Sequence, residues 1–426
     1  MVHNFAFLTR LIGTFPKFLL CLYFLIIASL SSCSHADDID WDIKKSINDS
    51  IYVINNRLAK ERMAQIESQY NTEGCFKLVH ISDPHLSEFS ESNHYSYPIN
   101  LIQSVKFANQ KDLNIHAMVA TGDFISNHKE KEIALKYLQS FTQYFYGNNN
   151  IPSFICTGNH DSNIINSSFA TYITASEIYQ NLSSVSCFGL RSQRVNQNYY
   201  YTDIPNPQGG YIRIISLDML DQTEQKYNTV YYASYTQEQI DWLGNIALKK
   251  GMSNQHNIII LNHYPFQPHS DNATTYLCDG DFVHDWNMIP DIVEAFRNRT
   301  KIKSTYKNQL STNDSISVNF DFTDSSGQFI CYLGGHAHCF AYFNVLGLSV
   351  PTSLPHQQMI LCSNQAPSEA GVVYNRVKRQ EDTISSNSFN IYYIDTQNKK
   401  IYITFFGAYQ PENNSSYPEI IVLPYS

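Results

Sequence analysis

Side chains of the kinds that bind metal ions recur in five short motifs of the chain. The motifs are Asp83-Pro84-His85, Gly122-Asp123, Gly158-Asn159-His160-Asp161, Asn262-His263 and Gly335-His336-Ala337-His338. Carboxylate, amide and imidazole ligands without thiolate suit Zn(II), Mn(II) or iron. The glycines in three of the motifs let the backbone turn sharply and approach a ligand closely. Together these residue types predict a metal centre.

Two of the motifs place ligand-type side chains two residues apart. Side chains at i and i+2 of a strand share a face, so Asp83 with His85, and His336 with His338, are expected to converge. Each residue alone has a structural explanation, such as a turn position for Asn159 or a hydrogen-bonded core position for a histidine. Five motifs in order, each after a predicted strand, favour the metal centre instead.

The ordered set D-x-H, G-D, G-N-H-D, a lone His and G-H-x-H resembles the calcineurin-like metallophosphoesterase family, from about Phe76 to Phe340. The resemblance implies an α/β fold of two mixed β-sheets sandwiched between helices (αββα). It also implies two divalent or trivalent transition-metal ions, either Zn, Mn or Fe. The implied ligands are Asp83, His85 and His338 for one ion, Asn159, His263 and His336 for the second, and Asp123 as a bridge to both.

The same resemblance implies hydrolysis of a phosphate ester by a hydroxide that bridges the two metal ions. An anionic bridge such as Asp123 would offset the repulsion between two cations about 3.5–4 Å apart. His160 corresponds to the family histidine that faces the leaving-group oxygen and can donate a proton to it. Asp161 is expected to orient His160 through a ring N–H bond, as carboxylates beside metal sites do.

Departures from the family motifs narrow the substrate class. Ser126 replaces the aspartate expected in Ser/Thr protein phosphatases, and the tyrosine of purple acid phosphatases is missing after Asp123. A phosphodiesterase is favoured over a phosphomonoesterase with the same core. A third alternative, a catalytically inactive lipid-anchored binding protein, is disfavoured because no ligand is lost. Candidate substrate contacts in predicted loops are His94, His128, His269 and Asp281, although a solvated loop position explains each of them as well.

The elements that must position these motifs alternate between apolar strands and helices, which predicts an α/β sheet covered by helices. Helical spacing occurs at Ile99–Asn109 and Lys131–Phe145, and Thr236 begins a helix running to about Lys249. The predicted strands are Phe76–Ile81, Ala117–Ala120, Pro152–Cys156, Ile212–Leu217, Ile258–Leu261 and Phe329–Leu333, with a hairpin of Ile391–Ile394 and Ile401–Phe405.

The N-terminal region predicts export. Residues 1–32 read as a signal peptide, because basic residues precede an apolar run at 18–30 that is too short to span a bilayer comfortably. Leu30-Ser31-Ser32-Cys33 resembles the lipobox of bacterial lipoproteins, so Cys33 is expected to carry lipid and attach the protein to the cell envelope at the outer membrane or cell surface. The alternative is a soluble secreted protein.

Three regions follow from these patterns: the signal peptide, a tether with an amphipathic helix at 33–72, and a catalytic domain at 73–426 with a loop-rich insertion at about 264–328. The helix has an apolar stripe at Ile43, Ile47, Ile51, Ile54 and Leu58. That stripe predicts docking on the domain, with self-association as the alternative.

Composition and charge limit the kinds of partner that are expected. The net charge of -9 gives no electrostatic reason to expect a nucleic-acid partner. A phosphate-ester small molecule, or a lipid- or nucleotide-type ester, is the expected substrate, and the membrane is reached through Cys33. The cysteines that remain after Cys21 and Cys33 are odd in number, so at least one stays free, and Cys156 and Cys331 sit in strand-like runs where buried free cysteines are common.

Overall fold

Two six-stranded mixed β-sheets form the centre of the protein, as the family resemblance predicts. The computed structural model describes residues 45–87, 98–147, 149–163, 171–183, 198–221, 232–266, 281–282, 284–308, 315–345, 357–362, 383–407 and 419–426. Lys45–Ser426 forms one compact unit. The predicted signal peptide and Cys33 lie outside the described residues.

The first sheet has the order β16-β15-β14-β1-β2-β3. Its parallel half carries the first three motifs, and its antiparallel half contains the predicted hairpin. The parallel strands are β1 (Phe76–Ile81), β2 (Ala117–Thr121) and β3 (Ser153–Cys156), and the antiparallel strands are β14 (Ser388–Asp395), β15 (Lys400–Gly407) and β16 (Ile421–Pro424).

The second sheet has the order β12-β13-β11-β7-β5-β4, and its four inner strands run parallel. The last two motifs follow β7 and β11. The strands are β4 (Tyr200–Pro205), β5 (Tyr211–Ser216), β7 (His256–Leu261), β11 (Gln328–Gly334), β12 (Ala341–Asn344) and β13 (Gln358–Leu361). All six predicted strands of the two sheets are confirmed, because continuous apolar runs mark strands that are buried on both faces.

Helices connect the strands. The described α-helices are α1 (Lys45–Tyr70), α2 (Pro98–Ala108), α3 (Lys131–Gly147), α4 (Ala175–Leu182), α5 (Gln237–Trp242) and α6 (Met288–Arg297). Short 3-10 turns cover Lys111–Leu113 and Asn159–Ser162. The helix predicted from Thr236 begins there, with the Thr236 hydroxyl accepting from the backbone of Gln239, and continues past α5 as a π-helical segment, Leu243–Ala247.

The region predicted as a loop-rich insertion contains regular structure. Besides α6 it holds the antiparallel pair β9 (Lys301–Lys307) and β10 (Ser315–Asp321), and β8 (Asp281–Phe282) pairs with β6 (Tyr232–Ala233). Ile316, Val318 and Phe320 alternate with polar residues and are buried. The helix candidate Asp291–Arg297 in this region lies within α6, whereas β9 and β10 were not predicted, because the Ser- and Asn-rich composition concealed a period-two pattern.

Helix α1 docks on the first sheet, mainly against β15. The Arg62 guanidinium donates to the carbonyl of Phe405 at 2.9 Å, and Lys77 pairs with Glu67 at 2.5 Å. The buried face overlaps the predicted stripe only in part: Ile51 is buried together with Met63 and Ile66, whereas Ile54 is 41% exposed. Among the described residues, no helix combines the length and apolarity that crossing a membrane requires.

Candidate metal centre

The five motifs meet where the parallel strands of both sheets end. Asp83 and His85 follow β1, Asp123 follows β2, and Asn159 and His160 follow β3. His263 follows β7, and His336 and His338 follow β11. Ligand sites of open α/β sheets lie at this carboxyl edge.

Five of the seven predicted ligands have a left-handed backbone. Non-glycine residues with φ near +55° are uncommon, and they cluster at functional sites where the surrounding structure holds them in place. Strand alternation was therefore the wrong reason for the convergence of Asp83 with His85, because both lie beyond β1. The left-handed ligands are Asp83 (φ 54°), His85 (46°), Asp123 (52°), His336 (65°) and His338 (51°).

Glycines before three of the ligands allow the loops to touch. A Cβ on Gly122 would lie 2.6 Å from the backbone nitrogen of Gly158 and 2.7 Å from Nδ1 of His263. A Cβ on Gly158 would overlap the backbone of Asp123, and one on Gly335 would overlap the Ser82 hydroxyl. These glycines therefore allow the loops of the site to approach one another closely, while the predicted approach of backbone to a ligand stays a prediction.

One ligand cluster joins Asp83, His85, Asp123 and His338, whose ligand-type atoms all lie within 4.8 Å of one another. Nε2 of His85 lies 3.0 Å from Nε2 of His338. Asp83 Oδ1 lies 3.4 Å from His338 Nε2, and Asp123 Oδ2 lies 3.6 Å from His85 Nε2. These are the four residues that the sequence assigned to the first metal ion and the bridge.

A second cluster joins Asp123, His263 and His336. Asp123 Oδ2 lies 3.1 Å from Nε2 of His263. The amide oxygen of Asn159 lies 3.1 Å from Nδ1 of His336, which adds the fourth predicted ligand. Asp123 belongs to both clusters, which is the position that a bridging carboxylate must occupy.

The polar atoms left without partners show that the residues fit metal ions. Oδ2 of Asp123 and Nε2 of His263 are buried, and neither makes a well-directed hydrogen bond. The other imidazole nitrogen, Nδ1 of His263, lies 2.5 Å from the carbonyl of Thr121, so it donates its proton there. Nε2 thereby faces the cluster, the orientation that metal-binding histidines generally have.

Burial and mutual charge set the protonation of the site. Burial raises the pKa of Asp83 to about 7, against the opposing effect of His263. Burial, with His160 and His338, holds the pKa of His85 well below its usual value, which keeps the imidazole neutral. Burial opposes charge on Asp123 as well, but His263 and His160 outweigh it and hold the pKa of that carboxyl low. Burial opposes charge on His263 too, but Asp123 outweighs it and raises the pKa of that imidazole to about 9. Metals bind neutral imidazole and ionised carboxylate, so binding at His263 would displace a proton.

His160 lies beside the first cluster. Its ring is 4.8 Å from that of His85, and its backbone N–H donates to Asp123 Oδ1 at 2.8 Å. Nδ1 of the ring is buried and has no partner. The ring is thus available for a proton transfer beside the ligands.

Asp161 does not orient His160. Its carboxylate accepts from the backbone N–H groups of Gly158 at 2.7 Å, Phe124 at 2.7 Å and Asp123 at 3.1 Å. The expected ring bond is therefore absent, because both carboxylate oxygens bind backbone. Through these hydrogen bonds, Asp161 links the loop after β3 to the loop after β2.

Some residues that shape the site were missed by sequence reasoning. The Thr121 carbonyl accepts from His263 and also from the Ser82 hydroxyl at 3.0 Å. The Thr121 hydroxyl lies 2.8 Å from Nε2 of buried His80. The sequence offered little indication of these contacts, since Ser and Thr are common at the ends of strands.

The candidate substrate contacts gain no support. His128 is buried, lies 3.2 Å from the carbonyl of Leu86 through Nε2, and stacks on Tyr137, so its role is structural. Asp281 begins β8. His94 and His269 lie outside the described residues.

A family model described as calcineurin-like phosphoesterase matches residues 76–289, half of the 426-residue chain. No curated protein matches the sequence. Among solved structures, a dimetal phosphatase from Danio rerio matches with a TM-score of 0.47 and 13% identity, over 83% of this chain and 99% of that one.

Two further structures show weaker likeness. Vps29 from Chaetomium thermophilum has a TM-score of 0.28 and 9% identity, over 83% of this chain and 98% of that one. A cold-active protein-tyrosine phosphatase of a psychrophilic Shewanella has a TM-score of 0.27 and 10% identity, over 78% of each chain. Likenesses at these scores do not bear on function.

Proposed function

The chain belongs to the calcineurin-like phosphoesterase family, a family of metal-dependent hydrolases of phosphate esters, and we propose that its substrates are phosphodiesters. The observation that carries the proposal is the sharing of Asp123 between two ligand clusters. Two ions held there would offset the charge of a phosphate group and lower the pKa of water, so that hydroxide is present at neutral pH.

Neighbouring groups of the protein orient the candidate ligands and supply a proton. The His160 backbone N–H binds Oδ1 of Asp123, which leaves Oδ2 facing both clusters. The Thr121 carbonyl fixes the ring of His263. The ring of His160 supplies a proton to the departing alkoxide oxygen. Retention of all seven ligands and of His160 argues against the inactive binding protein.

A preference for diesters over monoesters is supported by the charges of the site. Burial has the largest effect on the pKa values of Asp83, His85, Asp123 and His336. In the described part of the chain, the charged groups that affect them most after burial are histidines and aspartates, not Lys or Arg. A phosphomonoester carries more negative charge than a diester near neutral pH. Fewer cations beside the metal ions therefore favour the singly charged diester.

The test is a panel of matched mono- and diesters with the same leaving group, measured on protein reconstituted separately with Zn, Mn and Fe. The expected result is a higher kcat/KM for the diester with at least one metal. Faster hydrolysis of the monoester with every metal would identify a phosphomonoesterase, and no hydrolysis of either ester by metal-loaded protein would support the binding protein.

Export and lipid attachment at Cys33 remain part of the proposal and are supported by the N-terminal sequence. Cys33→Ser is expected to move the protein from the membrane to the soluble fraction while the folded domain keeps its specific activity. Ser32→Ala is a suitable control, because a small residue before the cleavage point is retained. Wild-type protein found wholly in the soluble fraction would contradict the anchor.

A further inference from the structure

Helix α1 begins at the same edge of the first sheet as the metal centre. β1 ends at this edge, and antiparallel β14 begins there, with His80 opposite Asn390. Ser388 at the start of β14 pairs with Gly407 at the end of β15. The end of β15 therefore lies two strands, or about 10 Å, from the end of β1.

Contacts along α1 fix its direction. Near its start, the Tyr52 ring lies 5.7 Å from that of Phe406, and the Asn55 amide donates to the carbonyl of Ile384 at 2.9 Å. Near its end, the Tyr70 ring lies 4.7 Å from that of Tyr402, far from the metal ligands along β15. The first turns of α1 thus lie at the catalytic edge.

Exposed apolar side chains gather at this edge. Helix α2 also begins there, because the side chains of Asn100 and Asn387 bond to the opposite backbone. Among the described residues seven large apolar side chains are exposed, and four of them lie on the first half of α1, on α2 or just before β14. The four, named here the apolar fringe, are Val53 (64% exposed), Ile384 (49%), Ile54 (41%) and Ile102 (37%).

A cluster of exposed apolar side chains marks an interaction surface. The sequence before α1 favours a lipid surface as the partner, because Cys33, proposed to carry lipid, precedes Lys45 by only twelve residues. The net charge of -9 offers no attraction to anionic lipid. Insertion of apolar side chains into an uncharged or zwitterionic surface needs no such attraction.

We propose that the apolar fringe docks on a zwitterionic phospholipid surface, and that the headgroup phosphodiesters of membrane lipids are the substrate class of the metal centre beside it. This inference rests on the proposed phosphodiesterase function. The fringe brings the carboxyl edge of the sheets, where hydrolysis occurs, against the bilayer.

The test compares two triple variants of the full chain, both in the Cys33→Ser background so that no lipid anchor contributes. The fringe variant carries Val53→Ser, Ile54→Ser and Ile384→Ser. The control variant carries Tyr211→Ser, Ile246→Ser and Val422→Ser, which replace exposed apolar residues elsewhere. Each is assayed for sedimentation with phosphatidylcholine vesicles, for hydrolysis of vesicular phosphatidylcholine, and for hydrolysis of water-soluble bis(p-nitrophenyl) phosphate.

The fringe variant is expected to lose at least about tenfold in vesicle binding and in lipid hydrolysis, with unchanged hydrolysis of the soluble diester. The control variant should match the parent in all three assays. Equal lipid hydrolysis by the two variants would overturn the inference, as would a fringe variant whose sole change is the loss of a dimer. Failure of the parent to hydrolyse the soluble diester would instead contradict the proposed function.

Discussion

At the scale of single residues, His160 differs from the candidate metal ligands around it. Its backbone N–H donates to Asp123, while its ring remains available because Nδ1 has no hydrogen-bond partner. Replacement of the ring should therefore affect proton transfer more than metal binding. Separate effects on proton transfer and on metal binding would distinguish a general acid from a metal ligand.

His160→Ala is expected to slow hydrolysis of diesters with alkoxide leaving groups by about 10²–10⁴-fold, and to slow it less when the leaving group is an acidic phenol that needs no proton. Metal content should stay near that of the wild type. Rates on the two leaving groups and elemental analysis check this. Equal losses on both, or loss of metal, would show that His160 is a ligand or a structural residue.

Asp161 acts on the backbone, which gives a different expectation. Asp161→Asn replaces one acceptor oxygen by an amide that faces N–H donors, so buried donors lose partners. The cost is about 2–4 kcal/mol of unfolding free energy, together with weaker metal binding. Urea unfolding and metal titration measure both effects. Asp241→Asn, on an exposed side chain, is the control. An Asp161→Asn protein with wild-type stability, but without the dependence of rate on the leaving group, would indicate that Asp161 orients the His160 ring after all.

Asp218 links the β3 loop to the second sheet through the Thr157 hydroxyl at 2.5 Å. Burial raises its pKa from 3.8 to about 6. The folded state therefore holds a proton that the unfolded state loses, so stability falls as pH rises from about 4 to 6, by about 3 kcal/mol in total.

Asp218→Asn removes this titration while keeping an acceptor for Thr157. The variant is expected to gain stability relative to the wild type as pH rises through this window, measured by urea unfolding between pH 4 and 7.5. The difference between the two proteins cancels the shared titration of the metal site. A difference that is independent of pH would contradict the raised pKa.

At the scale of elements, the strands that could be predicted from the sequence are those marked by continuous apolar runs. β1, β2 and β7 are buried along their whole length, and their composition shows it. β9 and β10 were missed because about half of their residues face solvent and are Ser, Thr, Asn, Asp or Lys. The candidate ligands were predicted from residue type and order, but their left-handed backbones were not, since dihedral angles held by tertiary contacts leave little trace in a single sequence.

Gly335 allows the loop after β11 to pack closely against the end of β1. Gly335→Ala would place a Cβ against the Ser82 hydroxyl and within 2.5 Å of Asp83 Oδ2, so the loop that carries His336 and His338 should move away from β1. We expect loss of metal and at least about tenfold lower activity. Gly74→Ala, where a Cβ meets open space, is the matched control. A fully metal-loaded, active Gly335→Ala protein would show that the contact is not needed.

At the scale of the whole molecule, the two sheets contribute different halves of the site. Asp83, Asp123 and Asn159 come from the first sheet, whereas His263 and the His336–His338 pair come from the second. The site therefore exists only where the carboxyl edges of both sheets meet. Among the described residues, Asp123 is the one that belongs to both ligand clusters.

The most direct test of this account is the number of metal ions retained after dialysis by Asp123→Asn and by His263→Ala. Removal of the shared carboxylate charge should weaken both sites, so Asp123→Asn is expected to retain fewer than one ion and to lose nearly all activity. His263→Ala should keep one ion, held by Asp83, His85 and His338, and lose hydrolysis. Two tightly bound ions and near-normal turnover in Asp123→Asn would contradict the shared-carboxylate site.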